Sequence, residues 1–86
     1  MSAAQIIAQL TAASRKLEEA QAQIAAARQN VGEARQLTAG ALQGSSGQLT
    51  SQFDSLIEVI GQVGTRPAAV KEQVHATIAK VQALGN

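Results

Sequence analysis

The sequence has no cysteine, no tryptophan and no tyrosine. Without cysteine there can be no disulfide and no thiolate metal site. Phe53 is the sole aromatic residue, so the stacking platforms that bind single-stranded nucleic acid are missing. Large apolar side chains are scarce as well: hydrophobic residues make up 45% of the chain, but many are alanine, which buries little area. An excess of one charge is lacking too. Seven Lys and Arg stand against six Asp and Glu, a net charge of +1, which gives no electrostatic footprint for nucleic acid. No apolar run approaches the ~18 residues of a membrane span, and membrane association is not expected. The opening residues Met1 to Ile7 carry neither a basic segment nor a long apolar one, so a cleaved signal peptide is not expected. The expected location is cytoplasmic, with signal-peptide-independent secretion left open.

Catalytic patterns are missing in the same way. His75 is the only histidine, falls on an outer position beside Val74 and has no cysteine near it, so no metal site is assigned. Glu18, Glu19 and Glu33 lack the Glu-x-x-His partner of helical carboxylate sites. Gly44-Ser45-Ser46-Gly47 follows no strand and reads as a turn, not a phosphate cradle. The expectation is a non-enzymatic protein with no cofactor.

What is present is helix-forming composition, rich in Ala, Gln, Leu and Glu, punctuated at Gly44–Gly47, between Gly61 and Pro67, and at Gly85-Asn86. The 86 residues amount to one domain. Ser2 and Gln5 have the spacing of a capping box, so the first helix is predicted over 2–43, roughly 60 Å at 1.5 Å per residue. A turn follows at 44–47 and a second helical arm at 48–84. The apolar period in the first arm is seven. Leu10, Leu17, Ile24, Val31 and Thr38 form one row; Ile6, Ala13, Ala20, Ala27, Ala34 and Ala41 form the other. In the second arm Leu49, Phe53, Leu56, Ile60, Val63, Pro67, Val70, Val74, Thr77, Val81 and Leu84 alternate by four and three. That phase survives Pro67, which favours one helix kinked at Pro67, or two stacked end to end, over a third helix folding back at Gly64.

The expected fold is therefore all-α: a long, coiled-coil-like antiparallel hairpin in which facing residue numbers add to about ninety. Those rows through Leu84, apart from Thr38, Ala41, Pro67 and Thr77, are the predicted helix–helix interface. A second interface is read at Ile57, Val59 and Ile78, together with Ile7, Leu37 and Leu42, all of which lie off those rows. The basic residues Lys16, Arg28, Arg35, Arg66, Lys71 and Lys80 flank the seam, while the acids fall on outer positions. Complementary flanking pairs are thus expected to be absent, apart from one contact of Arg35 with Asp54 or Glu58.

A small domain without disulfides or metal is stabilised most readily by association. The expected assembly is a four-helix bundle or a larger helical array, and the expected partner is a second copy or another helical protein. The hairpin, its Ala41-Leu42-Gln43-Gly44-Ser45-Ser46-Gly47-Gln48-Leu49 turn and its Ala79-Lys80-Val81-Gln82-Ala83-Leu84-Gly85-Asn86 ending resemble small actinobacterial helical proteins of unknown function. They also resemble the WXG100 superfamily and the N-terminal helical regions of actinobacterial polymorphic toxins. The resemblance implies a hairpin that pairs with another hairpin, as a structural or adaptor protein or in a type VII secretion or toxin setting. The Trp-x-Gly turn and the C-terminal Tyr-x-x-x-Asp/Glu signal of WXG100 proteins are missing. A third role, coating a lipid or granule surface, is less favoured because an alanine-rich face partitions poorly into lipid.

Overall fold

A computed structural model describes residues 1–43, 45 and 47–85. Its two helices are α1, Ala3–Leu42, and α2, Gly47–Gly85. No strand occurs among the described residues. The chain is an all-α helical hairpin.

Helix α1 starts as the capping box requires. Its first turn has backbone donors without intrahelical partners, and the Gln5 amide donates to Ser2 Oγ at 3.1 Å. The Ser2 amide donates in return to Gln5 Oε1 at 2.9 Å. At the other end Gln43 leaves the helix with φ of 48°, in the left-handed region. The Gln43 amide still reaches the Ala39 carbonyl at 3.0 Å, and Ser45 caps Leu42 through both its amide and its hydroxyl. Of the predicted 44–47 turn, Gly44 and Ser46 lie outside the described residues, and Gly47 is already the first residue of α2. Asn86 of the predicted C-terminal stop also lies outside them.

Pro67 lies inside α2, and the helix runs through it without a break. The fold-back at Gly64 does not occur. A proline here removes one donor and crowds the carbonyl four residues earlier, that of Val63.

The hairpin consists of two units. One comprises Met1–Gln21 with Thr65–Asn86, and the other is Ala22–Gly64. In the first, Ser14 meets His75, Glu18 meets Lys71, and the place of a Cβ on Gly85 is 3.0 Å from Ala3. In the second, Arg35 meets Asp54, Arg28 covers Gly61, and Ile24 packs on Gly64. Every such pair has numbers adding to 88 or 89, so within each unit the segments are antiparallel and in one register. At Gly64 a Cβ would stand 3.2 Å from Ile24 Cγ2, so a side chain there would require the isoleucine to give by a few tenths of an ångström.

No apolar residue among those described is fully buried; Ser14, 5% exposed, is the single buried residue. The chain exposes 6141 Å². That is about half of the ~12,800 Å² its unfolded chain would show, a smaller burial than even a 60-residue domain achieves.

Candidate interaction surface

The seam of the hairpin follows a heptad, but not both of the predicted rows. On α2 the half-buried positions are Thr50, Phe53, Ile57, Ile60, Gly64, Pro67, Lys71, Val74, Ile78 and Val81, alternating by three and four, with Gly61 beside them. The row Phe53, Ile60, Pro67, Val74, Val81 coincides with the sequence reading. Its companion is Thr50, Ile57, Gly64, Lys71, Ile78, one residue later than expected. On α1 the row Leu10, Leu17, Ile24, Val31, Thr38 is again half-buried, and its companion is Ile7, Ser14, Gln21 and Arg35, with the Arg28 guanidinium in the same series over Gly61. Ile6, Ala20 and Ala34 are also half-buried.

The remaining interface residues read from the sequence are exposed in the hairpin: Ala13 and Ala27 on α1, and Leu49, Leu56, Val63, Val70 and Leu84 on α2. Of the second interface, Ile57 and Ile78 belong to the seam and Val59 is exposed. Hydrophobicity alone favoured the alanine and leucine rows over rows containing Ser14, Gln21, Arg35, Thr50 and Lys71. The hairpin turns the more polar rows inward and leaves the more apolar rows facing out.

Moving the companion row by one residue explains the polar contacts. Arg35 and Lys71 become seam residues rather than outer flanks. Arg35 Nε donates to Asp54 Oδ1 at 2.6 Å and its Nη2 to Oδ2 at 3.4 Å, a two-pronged pairing of guanidinium with carboxylate. Lys71 Nζ lies 2.8 Å from Glu18 Oε1. This second cross-helix pair corrects the expectation that Arg35 would make the only one. The hydrogen bond from Lys71 and then its charge hold the Glu18 carboxyl below its ordinary value against the opposing effect of burial, with lesser help from the charges of His75 and Arg15. His75 is corrected too. It is not an idle outer residue, since its Nε2 lies 2.8 Å from the buried Ser14 Oγ. The signal for this was Ser14 itself, a hydroxyl at heptad spacing from Ile7 and Gln21.

Within Ala22–Gly64 the charges are segregated. Arg28, Glu33, Arg35, Asp54 and Glu58 are the only charged residues of that unit. Arg35 pairs with Asp54 and Arg28 covers Gly61 on one side of the helix pair; Glu58, one residue after a seam row as Asp54 is, falls on that side by its heptad position, and Glu33 accepts from Gln29 Nε2 at 3.4 Å. The rows Ala27, Ala34, Ala41 and Leu49, Leu56, Val63 each lie one residue before a seam row. On antiparallel right-handed helices such rows fall on the same side of the pair, opposite Arg35 and Asp54. That side carries no charge. It shows Leu56 at 46% and Val59 at 52% exposure. Leu49, Gln52, Phe53 and Leu56 enclose a shallow groove of about 210 Å³ on it. Their spacing, i, i+3, i+4 and i+7, is that of the four-residue hole into which a facing helix inserts a side chain.

No group of His, Asp or Glu able to hold a metal ion is found among the described residues. Nor is any helix among them long and apolar enough to cross a membrane. No curated protein and no solved structure matches the chain. One family model matches residues 1–86, described as a family of unknown function, and the chain therefore belongs to that family, DUF6244.

Proposed function

We propose that this chain is a non-enzymatic structural or adaptor protein that acts through helix–helix association. One observation carries the reading: among the described residues no apolar side chain is fully buried, while Leu49, Leu56 and Val63, spaced by seven, stay exposed. Burial of apolar area is the main favourable term in folding. A hairpin that buries so little gains most of its stability from whatever covers those side chains. The partner is helical, because the exposed residues repeat every seven positions and a helix is the element that meets such a repeat in phase.

The test is urea unfolding of the full chain, followed by circular dichroism, at several protein concentrations and with candidate helical partners added. Association predicts a midpoint that rises with protein or partner concentration, because only the folded chain binds. A cooperative transition with the same midpoint at every dilution would show that the hairpin is stable alone and would refute the reading. A WXG100-like role at a type VII secretion system is supported by the hairpin fold alone. Export of the chain that depends on an active secretion system is the result it requires.

A further inference from the structure

The charge-free side of the Ala22–Gly64 unit matches one kind of partner better than others. We propose that a second copy of this chain docks on it, with the Leu49, Leu56 and Val63 row of one α2 packing antiparallel on the same row of its partner about a twofold axis near Leu56. The proposal rests on the helix–helix reading above and names its partner and its face.

Three observations lead there. The first is area. A folded monomer of 8.8 kDa is expected to expose about 4,800 Å², and this chain exposes 6141 Å². Taken over the whole chain, the excess of about 1,300 Å² is larger than the ~800 Å² that each partner contributes to a stable interface of standard size. The second is charge. A different protein is usually selected by charges that attract it and repel others. Here every charge of the unit is kept off the exposed row, and Arg35 and Asp54 satisfy each other on the far side. A neutral face meets its own copy without repulsion and offers no charge for an unlike partner to match. The third is shape. The groove framed by Leu49, Gln52, Phe53 and Leu56 is open, and α1 does not fill it. The same row supplies the side chains that fit such a hole, so a twofold axis lets each copy provide both knob and hole.

Light scattering on the full chain, on Leu56→Lys, on Leu56→Glu and on a mixture of the two variants tests the proposal. Val70→Lys, equally exposed in the other unit, serves as the control. The wild-type chain is expected to have twice the mass of its 8.8 kDa monomer. Each Leu56 variant sets like charges against each other across the axis and should dissociate at least about tenfold more readily. The mixture should recover the dimer, which shows that the separate variants did not simply misfold. Val70→Lys should stay within about threefold of wild type, the scale of an ordinary surface change. Association that is unaffected by Leu56→Lys, or weakened equally by Val70→Lys, would overturn this face while leaving helix–helix association standing. A chain that never self-associates but folds only when a helical partner is added would overturn the second copy and keep the broader reading. A monomer that unfolds cooperatively by itself would overturn both.

Discussion

Ser14 shows how this hairpin treats polar groups. Its hydroxyl is the one buried side chain among the described residues and lies 2.8 Å from His75 Nε2. A buried hydroxyl without a partner costs free energy, so the His75 contact sets what kind of residue the position accepts. Ser14→Ala is expected to cost about 1 kcal/mol in urea unfolding, and a cycle with His75→Ala should show a coupling of about 0.5 kcal/mol or more. Glu18 adds a pH dependence. Its carboxyl is held low by Lys71, so the folded state favours the charged form. The contribution is complete above the ordinary carboxylate range and is lost as pH falls through the lowered value of Glu18. Glu18 itself is exposed although Lys71 is half-buried, so the effect is small and sensitive to salt. Glu18→Gln should lower stability slightly at neutral pH and not at all below the carboxylate range. An equal loss at both, measured as denaturation midpoints across pH, would show that the pair is not its source.

At the scale of the helices, two positions hold the elements away from their ideal sequence. Gln43 ends α1 with φ of 48°, where a side chain costs about 1 kcal/mol that glycine avoids. Gln43→Gly should therefore raise the melting temperature, and a fall would mean that the Gln43 side chain contributes more than its backbone costs. Pro67 sits within α2, where proline is disfavoured by about 3 kcal/mol relative to alanine. Pro67→Ala restores a backbone donor but gives up packing by a half-buried ring. A net gain of about 1–2 kcal/mol is expected, read as a shift in denaturation midpoint without a change in slope. Much of this level was legible in the sequence. The Ser2 and Gln5 capping box, one apolar row on each helix and the helical phase across Pro67 all follow from local chemistry and period. The companion rows were not. A row one residue earlier and a row one residue later both fit a heptad, and the choice by hydrophobicity favoured Ala13, Ala27, Leu49, Leu56 and Val63. The hairpin instead aligns on Ser14 with His75, Lys71 with Glu18 and Arg35 with Asp54. Specific polar pairs between residues far apart in sequence leave no trace in the periodicity of either arm.

At the scale of the whole molecule, the rows passed over by the seam explain why the chain is so rich in exposed leucine and valine. A row that repeats every seven residues and stays outside the hairpin is what a second helical layer requires. On the proposal that a second hairpin docks there, the chain is half of its stable unit: polar pairs set the register within the hairpin, and apolar rows serve the surface between hairpins. Sedimentation equilibrium of the full chain over a dilution series tests this most directly. The account predicts a mass that rises from that of one 8.8 kDa chain toward twice that value as concentration increases. A mass that stays at one chain throughout, in a protein that remains fully helical at the lowest concentration, would contradict it.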